Sequence, residues 1–323
     1  MSAVHDHHGL GTPQPSGGRG GPASGRIRST LGSYVSLMKL RVVETLLVTT
    51  VPAMVLAARG VPPLGLLAAT LVGGTLAAGS AHAFNQVIER DIDAMMRRTR
   101  KRPVATSTVS PRAGLVFAAV LLAVSVAIML LWVNPVAAAL TLLANVVYVV
   151  LYTILLKRRT AQNIVWGGIA GCLPTLIGWA AVTGGLDWPP VLLFLIVFFW
   201  TPPHYWPLAM RYRDDYARAG VPMLPVVAAA PSVARQILLY SGAMVATALL
   251  LWPVGALGWI YAVISVLAGT WFLWETVRLY RRTVTAGPDT GPEQLRTMRV
   301  FHGSITYLTL VFAAVAVDVL ILG

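Results

Sequence analysis

The chain has 323 residues, of which 56% are hydrophobic and only 11% charged. A soluble domain carries roughly 25% charged residues, so this composition argues against a water-soluble core and for lipid as the main solvent. A single cysteine, Cys172, excludes an internal disulfide framework.

Residues 1–35 are rich in Gly, Pro and Ser and read as a disordered tail without the short apolar core of a cleavable signal peptide. His5, His7 and His8 belong to that tail. The remainder, 36–323, reads as one transmembrane domain. Apolar runs recur at 42–60, 64–87, 113–133, 136–156, 163–183, 189–209, 233–253, 255–276 and 301–322. Each approaches the ~20 residues that a helix needs to cross the hydrocarbon core. The fold class expected is therefore all-α, a polytopic membrane protein with about nine transmembrane helices. With these spans, Arg59 alone of the 25 Lys and Arg residues falls on one side of the bilayer. The positive-inside rule then makes the crowded side cytoplasmic, with the N-terminus inside and the C-terminus outside a cell membrane. The net charge of +13 is thus a record of topology, and no nucleic-acid partner is invoked.

Five of the twelve acidic residues form two clusters on that crowded side. In the first, Asn85, Glu89 and Asp93 are spaced four apart at the end of the second run. Each is displaced about 40° around a helix and ~6 Å along it, so they form one oxygen-bearing stripe. Oxygen ligands at the mouth of a bundle suit a hard cation such as Mg²⁺ that bridges to phosphate. Asp91 points away from the stripe. Arg97, Arg98, Arg100, Lys101 and Arg102 follow at once, and a solvated acid–base loop is the plainer explanation of the same residues. The second cluster, Asp214 and Asp215, follows the sixth run and would supply the other half of a metal–diphosphate clamp. Lys157 and Arg158 add cationic donors for phosphate oxygens, as do Lys39 and Arg41, which equally serve as topology markers. His82 lies one turn before Asn85. His204 stands in Trp200-Thr201-Pro202-Pro203-His204-Tyr205-Trp206, where two prolines are expected to disrupt the helix and form a cavity wall. Glu44 and Asp318 fit neither cluster.

At these residues the chain resembles the membrane-embedded prenyltransferases of the UbiA superfamily, over about 36–322. Asn85-x₃-Glu89-x₃-Asp93 matches the superfamily's first acidic motif, which binds Mg²⁺ and diphosphate. Further stretches resemble its heme-modifying branch: Arg90-Asp91-Ile92-Asp93 with Arg98-Thr99 and Arg102-Pro103, Lys157-Arg158-Arg159-Thr160, Pro203-His204-Tyr205-Trp206, and Asp214-Asp215-Tyr216. Glu89 stands where Asp is usual, Leu40 interrupts a common Lys-Pro-Arg, and the second acidic motif is an adjacent pair.

The resemblance implies a helical bundle with a central cavity open to the cytoplasmic side. It implies Mg²⁺-dependent transfer of farnesyl from farnesyl diphosphate to a vinyl group of heme B, giving heme O. On this reading Asn85, Glu89, Asp93, Asp214 and Asp215 hold metal. Arg97, Arg98, Arg102, Lys157, Arg158, Lys39 and Arg41 hold diphosphate. His204, then His82, contacts heme, and Tyr148, Tyr152 and Trp206 face the allylic cation. The product would pass to a downstream heme-modifying enzyme or oxidase. Two other readings use the same acids: prenylation of a quinone or chlorophyll precursor, and cation transport. Transport would favour charge distributed through the bilayer depth, whereas here it gathers at one face.

Overall fold

The computed structural model describes residues 32–97, 99–287 and 290–322, with side chains outside 40–47. The tail residues 1–31, Arg98, and the side chains of Arg41 and Glu44 therefore lie outside the described residues. All elements among the described residues are helical. The principal ones are α1 (Leu40–Ala58), α2 (Leu64–Ile88), α3 (Arg90–Met95), α4 (Pro111–Trp132) and α5 (Pro135–Leu156). They continue with α6 (Asn163–Thr183), α7 (Trp188–Arg211), α8 (Arg213–Arg218), α9 (Ala230–Val254), α10 (Trp259–Thr285) and α11 (Thr297–Leu322).

Eight of these are long and apolar enough to cross a membrane: α2, α4, α5, α6, α7, α9, α10 and α11. The expected ninth span coincides with α1, a 19-residue helix whose described apolar part is the shorter Val48–Ala58. The starts are written locally. Ser110 Oγ accepts from Ala113 N, and Asn134 Oδ1 from Ala137 N, each with a proline at the next position. Asn134 Nδ2 also donates to Ala180 O at 2.8 Å, tying the start of α5 to the end of α6.

The nine long helices pack as a ring in chain order, α11 returning against α1. Contacts also cross it, among them α1 with α6, α7 with α11, and α2 with both α5 and α6. Close approach between α1 and α6 depends on Gly178, where a Cβ would come within 2.7 Å of Thr50 O. Large apolar side chains face outward, among them Leu131, Trp188, Trp259 and Leu267. In lipid that exposure carries no hydrophobic penalty.

The prolines of α7 do not break it. Pro202, Pro203 and Pro207 lie inside a helix that continues from Trp188 to Arg211. Each removes one backbone donor, yet neighbouring helices hold the backbone, and Thr201 Oγ1 donates to Val197 O at 2.9 Å. The irregular stretch is elsewhere. The last part of α5, Val147–Leu156, is a π-helix without a proline, in which Lys157 N bonds Tyr152 O five residues back at 2.9 Å.

Two acidic segments become neighbours through an apolar cluster. Ile92 and Met96 at α3, Tyr216 on α8, and Val221 and Met223 beyond it are buried together with Ile164 and Ala209. Gly220 makes the turn possible with a left-handed backbone (φ 64°).

Candidate active site

Asn85, Glu89 and Asp93 span the junction of α2 and α3. Glu89 departs from helical dihedrals, but Glu89 N bonds Asn85 O at 2.9 Å and Asp93 N bonds Glu89 O at 2.8 Å. The four-residue register therefore survives the break, and all three side chains are buried. Asn85 Nδ2 donates to Thr153 Oγ1 (3.1 Å), which donates to Tyr148 O (2.9 Å), so the amide is oriented through its nitrogen.

Each carboxylate is closed by its own cation. Lys157 Nζ lies 2.5 Å from Glu89 Oε2, while Glu89 Oε1 is buried without a hydrogen-bond partner among the described residues. Arg102 NH1 donates to both Asp93 oxygens at 2.6 and 2.7 Å. The loop that delivers Arg102 is a series of turns, anchored by Val104 and Val109 against Leu37 and Val87. Thr99 Oγ1 ties it back to Asp93 O at 3.1 Å. Lys39 lies within electrostatic reach of all four charged groups. Burial foremost, then Arg102 and Lys157, pushes its ammonium down to about 7 against the pull of Asp93 and Glu89. Its backbone is left-handed (φ 49°), a conformation that a lysine keeps only where its surroundings impose it. Burial likewise lowers the Lys157 ammonium, opposed by Glu89.

Aromatic rings wall this cluster. Lys157 sits 5.7 Å above the Tyr152 ring, and Tyr152 lies within electrostatic reach of Tyr148, Tyr205, Tyr216 and Glu89. Gly167 leaves room for the Tyr152 ring that a Cβ would fill. His82 joins through Nδ1, 3.2 Å from Tyr148 Oη, with the rings edge to face. His204 belongs to another group. It stacks between Trp200 and Phe301 at 4.2 and 4.6 Å and pairs through Nδ1 with Ser304 Oγ at 2.9 Å, joining α7 to α11. Trp206 is sealed in the core against Tyr240, and its neighbour Tyr205 occupies the position near Tyr152 instead.

Other expected residues sit at the periphery. Asp91 and Arg158 form an exposed bidentate pair at 2.8 and 2.9 Å, so the Arg158 guanidinium is engaged by Asp91 and not by Glu89. That guanidinium holds the Asp91 carboxyl below the usual range. Arg97 and Asp214 are exposed, while Asp215 is buried and paired with Arg218. Among the described residues, no three His, Cys, Asp or Glu side chains gather into a metal-holding group. Each buried acid closes on the nearest cation, because carboxylates brought together without an ion repel one another. The donor set still suits a hard divalent cation: an Asn carbonyl, two carboxylates and the unpartnered Glu89 Oε1.

Thr153 was not singled out from the sequence, and Thr99, Tyr205 and Tyr216 entered only as members of the stretches that carry the resemblance, with no role assigned. The two threonines act through hydrogen bonds to Asn85 and Asp93 that no linear spacing announces.

A model of the UbiA prenyltransferase family matches residues 46–290. A protein of Paenarthrobacter aurescens (strain TC1) named protoheme IX farnesyltransferase is 55% identical over 92% of this chain and 92% of its own length. One of the same name from Streptomyces coelicolor is 52% identical over 96% of this chain and 95% of its own. Among solved structures, a digeranylgeranylglyceryl phosphate synthase superposes with a TM-score of 0.73 at 15% identity, covering 90% of this chain and 99% of its own. A UbiA homologue from Archaeoglobus fulgidus bound to DMAPP and Mg²⁺ gives 0.64 at 20% identity, covering 88% and 99%. At those identities the two structures speak for the fold.

Proposed function

The chain belongs to the UbiA prenyltransferase family, and from that premise we propose that it transfers a farnesyl group from farnesyl diphosphate to a vinyl group of heme B, giving heme O. The observation that carries this reading is the buried pair of ion pairs, Glu89–Lys157 and Asp93–Arg102, at the end of a lipid-facing bundle. The names of relatives sharing over half their residues with this chain supply the substrates.

Mg²⁺ held by Asn85, Glu89 and Asp93, with Asp214 and Asp215 as the second acidic pair, would neutralise diphosphate and improve it as a leaving group. Lys157 and Arg102 are already at the carboxylates and turn to the phosphate oxygens when diphosphate arrives; Lys39 joins them. Arg97 and Arg158 form the outer cationic ring of this proposal, and Arg98 and the Arg41 side chain, outside the described residues, are assigned to the diphosphate from the sequence alone. Breaking the allylic C–O bond leaves a farnesyl cation, which the faces of Tyr148, Tyr152 and Tyr205 stabilise. The terminal vinyl carbon of heme attacks it, and water adds to the benzylic-like carbon with loss of a proton, completing a hydroxyethylfarnesyl group. His204 contacts the heme iron or a propionate, with His82 as the second choice. In both rings Nδ1 is engaged and Nε2 has no hydrogen-bond partner among the described residues.

The positive-inside distribution supports a cell-membrane protein with a cytoplasmic N-terminus and active-site mouth. Heme O leaves into the bilayer, where a downstream heme-modifying enzyme or oxidase receives it. Membranes containing the protein, incubated with heme B, farnesyl diphosphate and Mg²⁺, are expected to yield heme O by mass spectrometry of extracted hemes. Glu89→Ala and Asp93→Ala are expected to abolish that product while the protein still inserts. Full activity in either variant removes the metal assignment, and prenylation of a quinone precursor in place of heme removes the substrate.

A further inference from the structure

The ends of α10 and α11 on the active-site side carry a charged group that prenyl transfer leaves unused. Glu275 on α10 is buried, with Arg299 Nε at 3.4 Å and Arg278 NH1 at 3.9 Å, and neither carboxylate oxygen has a hydrogen-bond partner among the described residues. Arg282, whose NH1 donates to Leu295 O at 3.3 Å, lies within electrostatic reach of Arg278, Arg296, Arg299 and Glu275. Four guanidiniums thus share one carboxylate. The nearby Glu293 is directed to Arg211 instead, at 3.5 Å. Glu275 lies beside two of the arginines without a hydrogen bond to either, and it leaves most of the group's charge uncancelled.

The position of this excess along α10 indicates what it meets. Val263, Leu267, Trp271 and Trp274 are exposed and recur three or four residues apart, so they form one apolar stripe. The stripe ends at Arg278, whose guanidinium lies over the Trp274 ring at 4.3 Å. Exposed tryptophans followed by arginine mark the boundary between acyl chains and headgroups. Arg296 and Arg299 are exposed beside it, at the start of α11. A ligand that matches both parts has hydrocarbon to lie along the stripe and an anionic group to meet the guanidiniums.

We propose that Arg278, Arg282, Arg296 and Arg299 form a binding site for the phosphodiester headgroup of an anionic bilayer lipid, whose acyl chains lie along the Val263–Trp274 face of α10. The site is separate from the Glu89–Asp93 centre and does not depend on the reaction assigned to it.

The full chain would be reconstituted in nanodiscs of dioleoylphosphatidylcholine, with and without dioleoylphosphatidylglycerol. Retained lipid would be counted by native mass spectrometry, and the unfolding temperature measured in each. Phosphatidylglycerol is expected to be retained selectively and to raise the unfolding temperature. Arg278→Gln should weaken retention roughly fivefold, the worth of one guanidinium at a membrane surface. Glu275→Gln leaves all four arginines and increases the excess positive charge, so it should strengthen retention; this arm remains readable where Arg278→Gln fails to fold. Equal retention by the wild-type protein and Glu275→Gln overturns the proposal. So does inorganic phosphate raising the unfolding temperature in phosphatidylcholine discs as much as phosphatidylglycerol does, which assigns the arginines to a free anion.

Discussion

Glu89 and Asp93 are one turn apart, yet they are closed by different cations for different reasons. Lys157 is a compact charge that reaches Glu89 from the end of α5, whereas Arg102 brings a planar guanidinium from a loop. Deleting one partner of a buried pair strands the other charge, at a cost of about 3–5 kcal/mol. Lys39, facing both pairs, shows its burial as pH dependence. Its ammonium titrates near 7 in the folded protein against 10.5 ordinarily. Between those values the folded state binds fewer protons than the unfolded one, so stability rises with pH; below about 7 the penalty is fully present. The unfolding temperature is therefore expected to climb between pH 7 and 9, and Lys39→Met to flatten the climb. A slope unchanged by the substitution removes this role. The Asn85–Glu89–Asp93 stripe was legible because four-residue spacing survives even the break at Glu89. Asp318 was not legible, because its partners are backbone donors: Gly258 N at 2.5 Å and Tyr261 N at 3.0 Å, where it caps the start of α10.

Helix limits could be read closely from the apolar runs, since span length is set by bilayer thickness. Helix pitch could not. The prolines of α7 suggested a break, but the departure from α geometry lies in Val147–Leu156, whose sequence contains only ordinary apolar and aromatic residues. That departure positions the site. On an α-helix, residues nine apart point about 180° away from each other, which would turn Lys157 from Tyr148. Each residue of a π-helix turns through less, and so Tyr148, Tyr152, Thr153 and Lys157 all reach the region of Asn85 and Glu89. Deleting Val150, which faces outward, should rotate Lys157 by roughly a quarter turn relative to Tyr148. The expected result is loss of heme O formation with insertion and helical circular dichroism unchanged. Retained activity means that the π segment does not set the register.

At the scale of the molecule, the ring of helices places charge and chemistry at one end. The only cysteine, Cys172, is fully buried and suits a background for labelling. In Cys172→Ser, Leu186→Cys between α6 and α7 should react with a membrane-impermeant maleimide in intact cells, and Lys101→Cys only after lysis. The reverse pattern inverts the topology. Charge placement is what this proposed orientation rests on; the closure of the ring was hidden from the sequence, because it depends on contacts between distant segments. α11 packs on α1, α7 and α10, and its Asp318 completes the first turn of α10. Since α11 follows the other ten helices in the chain, its partners α1, α7 and α10 have an open flank until it inserts. Closure of the ring thus waits on the insertion of α11, and a nascent chain halted before Asp318 would present an uncapped α10 and an open gap that membrane quality control can recognise.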